Sequence, residues 1–195
     1  GESNIPEAHG KIKRLFTDPQ NCRALPDVIE AIRDAELIIL GPGSLYTSVT
    51  PNLLIKEIAH EIAVSKAKKI YVCNIMTQPG ETDGYSVSDH INALVNHAGS
   101  KKIIDAVLVN DFMPSNLAQK YQLSGSYPVK IDVENIRKMG FSIFSRKLIE
   151  DSKEGLVRHS SNRVARAIYY WFRKKQKGEK IKPSAKLAEK QGCAV

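Results

Sequence analysis

Gly41-Pro42-Gly43-Ser44, followed by Tyr46-Thr47-Ser48 and Pro51-Asn52, is the stretch of this chain best equipped for chemistry. Glycines let backbone N–H groups come close to an anion, and the hydroxyls of Ser44, Thr47 and Ser48 can hydrogen-bond it. The apolar run Leu37-Ile38-Ile39-Leu40 stops right before it. A buried parallel strand that delivers a loop to the rim of its sheet gives this pattern, and the rim is where α/β sheets bind ligands. Gly41, Gly43, Ser44, Thr47, Ser48 and Asn52 are the first candidate ligand-binding residues.

Two more loops leave strand ends in the same way. Met76 to His90 is a long polar excursion holding Thr77, Gln78, Glu81 and Thr82, and Val109 to Pro114 carries Asn110 and Asp111. Long loops inside compact domains are usually functional. All three follow the carboxyl ends of strands, so a parallel sheet brings them to one edge. Backbone N–H groups, hydroxyls, Gln78 and Asn110 suit a phosphorylated and hydroxylated ligand. The first two loops hold no Lys or Arg; Arg158, just before the last helix, is the candidate that supplies the charge. No catalytic set stands out. His9, His60, His90, His97 and His159 show neither metal-motif spacing nor a triad pairing. Asp83, Asp89 and His90 are the candidates for a divalent ion bridging phosphates. Ser88 or Asp89 also reads as a helix N-cap.

The elements that position these loops alternate. Apolar periodicity predicts helices over 27–35, 53–67, 88–98, 116–121, 132–139 and 162–175. Gly140 is the expected stop of the fifth. Strands are expected at 37–40, 69–75, 103–110, 129–131 and 141–144, with an edge strand at 11–16. Strand and helix in alternation with short connections imply a mostly parallel sheet with helices on both faces.

The net charge of +8 suggests nucleic acid until it is located. Residues 1–162 hold 19 basic and 19 acidic side chains, whereas residues 163–195 hold 10 basic and 2 acidic. The body is balanced, and the segment 176–195 reads as a basic, flexible tail with little to bury. An RNA- or membrane-surface-binding module would rest on that tail alone, so nucleic acid is not expected as a partner of the body. No run is long enough for a transmembrane helix. No signal peptide is read at Gly1-Glu2-Ser3-Asn4, where the missing initiator Met suggests a processed or excised piece. Cys22, Cys73 and Cys193 are an odd set without metal or redox spacing, which fits a reducing cytoplasm, with Cys73 buried in its strand.

Gly41-Pro42-Gly43-Ser44-Leu45-Tyr46-Thr47-Ser48 with Pro51-Asn52-Leu53-Leu54, followed by Tyr71 through Tyr85, resembles the gluconeogenesis-factor family, the YvcK-type branch of the CofD-like proteins. Gly1-Glu2-Ser3-Asn4-Ile5 and Val157-Arg158-His159 match as well. The resemblance runs to about residue 172 and implies a partial domain over 1–175. It implies a Rossmann-like three-layer α/β sandwich with a mostly parallel sheet, lacking the usual N-terminal part and its Gly-Gly-Gly-Thr-Gly loop. It also implies a cytoplasmic factor that binds a nucleotide-sugar such as UDP-N-acetylglucosamine and acts in cell shape and wall synthesis during gluconeogenic growth. Related CofD enzymes are magnesium-dependent transferases that join a phospholactyl group to a deazaflavin precursor. Their first loop reads Gly-Pro-Ser-Asn-Pro, so Gly41-Pro42-Gly43-Ser44-Leu45 favours the binding branch and leaves the transferase as the alternative. The resemblance further implies ligand contacts at Tyr121 and Arg158. It implies a regulatory Ser/Thr kinase site at Ser161, and a homo-oligomer remains open.

Overall fold

The computed structural model describes residues 5, 10, 12–150 and 156–181. Gly1 to Asn4, Gly155, Cys193 and most of the basic tail lie outside the described residues. Four strands, β1 (Leu37–Leu40), β2 (Lys68–Val72), β3 (Ala106–Asn110) and β4 (Ser142–Arg146), form one sheet in the order β1-β2-β3-β4. Every pair is parallel, in the register Ile39 with Ile70, Tyr71 with Val107 and Leu108 with Phe144. The helices are α1 (Pro26–Asp34), α2 (Thr50–Leu54), α3 (Lys56–Val64), α4 (Val87–Ala98), α5 (Ser115–Gln122), α6 (Val133–Lys138) and α7 (Ser161–Gln176).

Side chains that alternate along β2 and β3 feed two separate cores. Tyr71, Val107 and Val109 pack with Ile91 and Leu94 of α4 and Ile136 of α6. Ile70, Val72, Ala106 and Leu108 point the other way, onto Val164, Ala167, Ile168 and Trp171 of α7. The spacing of those four α7 residues makes one stripe, and Trp171 is 1% exposed. Burying each large apolar side chain of this kind contributes about 1.5–3 kcal/mol. Helices cover both faces, so the architecture is the expected three-layer α/β sandwich. Among the described residues β1 is paired on one side only, and its Ile39 is 45% exposed.

Five local expectations change. The single helix over 53–67 is two helices, because Ile55 takes an extended backbone (φ −75°, ψ 103°) between α2 and α3. Residues 12–17 form no strand. They run as an irregular strap whose Ile12 and Leu15 pack on the core and whose Leu15 N–H donates to His97 Nε2 at 3.2 Å. Lys101–Ile103 is a 3-10 turn that precedes β3 rather than part of it. The expected strand at 129–131 reduces to isolated bridges, Met76 with Pro128 and Ser86 with Lys130. The N-cap of α4 is Ser86 rather than Ser88 or Asp89, both of which lie in the first helical turn, Asp89 closing the capping box from its third position.

Candidate functional site

Because the strands are parallel, the segments after β1, β2 and β3 leave from one edge, as the loop pattern requires. Gly41 turns the chain there with φ +80°, and a Cβ on it would stand 3.0 Å from the Val72 carbonyl oxygen. Only glycine fits so close to the end of β2. Gly43 is tight for another reason: its Cβ would meet Ser48 Cβ at 3.1 Å. Leu45–Val49 then forms one π-helical turn, with the N–H groups of Ser48 and Val49 both donating to the Ser44 carbonyl at 3.0 Å. Such turns recur at functional sites.

The second loop is tied to the first by side chains. Tyr46 N–H donates to Glu81 Oε1 at 2.6 Å, and Gln78 Nε2 donates to Ser44 Oγ at 2.9 Å. Asn74 Nδ2 in turn donates to Gln78 Oε1 at 3.3 Å. Glu81 is 6% exposed. A carboxylate therefore sits at the N-terminus of the π turn, where an anionic ligand would otherwise meet the backbone. Gln78 N–H donates to Thr82 Oγ1, and Tyr127 N–H donates to Thr77 Oγ1, both at 2.9 Å. Asn52 Nδ2 donates to the Ser48 carbonyl at 2.8 Å. Among the candidates, Glu81, Thr77, Thr82 and Asn52 thus spend polar atoms on holding the loops. Ser48 is exposed, and Ser44 and Thr47 are half-buried.

The third and fourth segments are joined by backbone-directed bonds. Asn110 Nδ2 donates to the Phe112 carbonyl at 2.6 Å, and Asn110 Oδ1 accepts from Leu148 N–H at 2.9 Å. The Tyr121 hydroxyl accepts from Val157 N–H at 2.9 Å, which brings Tyr121 beside the segment carrying Arg158. Arg158 itself is exposed.

Two residues that sequence patterns passed over complete the edge. His159 bridges to Ile149 and is hydrogen-bonded to the Cys73 backbone, next to Asn74. Burial lowers its pKa against that hydrogen bond, so the ring is neutral at pH 7. His159 Nε2 and Asn74 Oδ1 are buried and find no hydrogen-bond partner among the described residues. Buried polar atoms are ordinarily satisfied; Thr50 Oγ1, Tyr71 Oη and His90 Nε2 are unpartnered as well, inside the core, whereas Asn74 and His159 lie at the loop edge of the sheet. Only spatial neighbourhood reveals them, since 74 and 159 are far apart in the chain.

The candidates for a divalent ion do not assemble. Asp83 Oδ2 accepts from Gly80 N–H at 2.6 Å, Asp89 Oδ2 accepts from Ser86 N–H in the capping box of α4, and His90 is wholly buried with its pKa lowered by that burial. No cluster of three or more His, Cys, Asp or Glu among the described residues could hold a metal. These residues do not fit a magnesium site. Cys73 is 1% exposed, and burial pushes its thiol up to about 12, which makes it inert at neutral pH. No helix among the described residues is long and apolar enough to cross a membrane.

Comparison with known proteins agrees with this architecture. The family described as 2-phospho-L-lactate transferase CofD matches residues 1–149. The chain belongs to the CofD-like family. Within it, the gluconeogenesis factor of Bacillus subtilis is 45% identical over 166 residues, covering 85% of this chain and 52% of that protein. The gluconeogenesis factor of Halalkalibacterium halodurans is 40% identical over 168 residues, covering 86% of this chain and 52% of that protein. A crystal structure of a UPF0052 family member from Bacillus halodurans superimposes with a TM-score of 0.81 at 42% identity, over 87% of this chain and 54% of that one. This CofD-like chain spans about half the length of these relatives.

Proposed function

We propose that the carboxyl edge of the sheet binds a nucleotide-sugar of the UDP-N-acetylglucosamine type, and that the chain serves as a regulatory binding factor rather than an enzyme. Its role would be in cell shape and wall synthesis during growth on gluconeogenic carbon; the names of its relatives support the gluconeogenic part alone. The observation that supports the reading best is the pair of unpartnered acceptors, Asn74 Oδ1 and His159 Nε2. Acceptors need donors. Sugar hydroxyls, an acetamido N–H and a uracil imide all donate, whereas a diphosphate only accepts and would call on Arg158 and exposed hydroxyls. A ligand with both parts uses both kinds of group. Ser161, exposed in the first turn of α7, is where a kinase could add a phosphate, close to the helix N-terminus that favours it.

The test is isothermal titration with UDP-N-acetylglucosamine, on this chain and on a version as long as its relatives. Binding by the longer form alone would mean that further residues complete the site. Absence of binding by both would end the proposal. A transferase reading has one observation in its favour, the description of the matched family. Turnover of guanylylated phospholactate with a deazaflavin acceptor would establish it.

A further inference from the structure

We propose that the groove between the strap and the outer sides of α3 and α4 docks an acidic amphipathic helix of a partner protein. The groove encloses about 1110 Å³. Its charge is one-sided. Lys13 and Arg14 enter from the strap, Lys56 from α3 and Lys102 from the turn after α4, and none of the described lining residues is acidic. The ion pairs among the described residues include none of these four cations.

The other side of α3 shows what a self-satisfied groove looks like. There a cleft of about 890 Å³ is lined by Arg23 and Arg33 together with Glu57 and Glu61. The pairs close at 3.0 Å and 2.6 Å. A surface that neutralises its own charge offers a charged partner little. Four cations on three elements around a concave surface, with no ion-pair partner and no acidic lining residue among the described residues, leave a focused positive potential.

The floor adds a second requirement. Leu54, Ala63 and Val64 line it with Phe16 of the strap. Phe16 is 72% exposed and Val64 59% exposed. Exposed apolar surface collected in one concavity marks a contact site. Phe16 is held there because the neighbouring Leu15 is fastened twice, by its N–H on His97 Nε2 and by packing on the core. A helix with an apolar stripe and Asp or Glu on its flanks meets both demands at once, the stripe on the floor and the flanks on the cations. A nucleic-acid backbone would satisfy the cations and leave Leu54, Ala63 and Val64 uncovered. The occupant is therefore protein.

The experiment uses the full chain and a fluorescein-labelled 14-residue peptide with leucines at helical i, i+3, i+4 and i+7 spacing and glutamates elsewhere. Fluorescence anisotropy is read at low and moderate salt. Wild type should bind and lose affinity as salt rises. Lys56→Glu with Lys102→Glu, both on the surface and checked for folding by circular dichroism, should weaken binding at least about tenfold. Phe16→Ser should weaken it with little change in salt dependence, and a scrambled peptide of equal charge should bind worse than the patterned one. Arg33→Glu, in the paired cleft, should leave affinity unchanged. Equal binding by the charge-reversed double variant would overturn the proposal. So would binding lost on removing residues 177–195 but not on charge reversal, or a single-stranded RNA of equal length displacing the peptide at the peptide's own affinity.

Discussion

At the β1–β2 end of the rim, the loops are tied to each other by side chains: Glu81 holds Tyr46 N–H, Gln78 holds Ser44, and Thr82 holds Gln78. At the β3–β4 end, Asn110 and Tyr121 spend their bonds on backbone groups, and Arg158 is left exposed. Between the two ends lie Asn74 and His159 with acceptors to spare. The first end is a brace between loops; the second pins its backbone in the same way through Asn110 and Tyr121 but also presents Arg158 to solvent. Residue type alone would have assigned all of them the same task.

The brace should fail most visibly. Glu81→Ala strands the Tyr46 N–H in a buried place and should cost about 2–3 kcal/mol in urea unfolding; a loss under about 0.5 kcal/mol would erase the distinction between the two ends. Arg158→Ala should do the reverse. It should leave unfolding unchanged and weaken UDP-N-acetylglucosamine binding by about 1.5–3 kcal/mol if the cation meets phosphate. Unchanged affinity in titration calorimetry would return it to the ordinary surface cations. Thr82→Val keeps the shape but removes the acceptor for Gln78 N–H, for about 1–2 kcal/mol of stability and a smaller effect on binding.

The smallest effect is in pH. Burial lowers the pKa of both His90 and His159 below the ordinary 6.5. The unfolded chain therefore takes up protons at these rings more readily than the folded one. Their contribution is complete above pH 6.5 and declines as pH falls below it. Burial raises the pKa of Asp132, but hydrogen bonds led by Ser88 outweigh it and hold the carboxyl below 3.8, so Asp132 titrates only in more acid solution. Melting temperatures from about pH 7.5 to 5.5 should fall gradually. A flat profile would mean that both rings accept a proton without cost. Ligand bound at His159 Nε2 through a donor should steepen the fall.

The four strands and the convergence of their loops were legible because buried parallel strands are continuous apolar runs ending in glycine or polar residues. Leu37–Leu40 shows it most clearly. The break at Ile55 was not legible, since the apolar spacing through Leu54, Ile58 and Ile62 reads as one helix. The brace was hidden for a different reason. A carboxylate in a polar loop looks like a ligand group until its partner, the backbone of Tyr46, is seen beside it. His159 was passed over because it lacks a metal spacing, and its burial comes from a bridge to Ile149 that no periodicity encodes. The charge balance of residues 1–162 likewise concealed the cationic groove, because counting along a chain averages what folding gathers.

The π turn at Leu45–Val49 holds one residue more than an α-helical turn would. Delete one residue there and everything ahead of it turns by about 100° relative to α2. Ser44 would swing off Gln78, and the backbone of Tyr46 off Glu81. In this loop the number of residues is as strict a specification as their identity. Exchanging Ser48 for another side chain is a mild change; losing one position from this segment is a change of architecture.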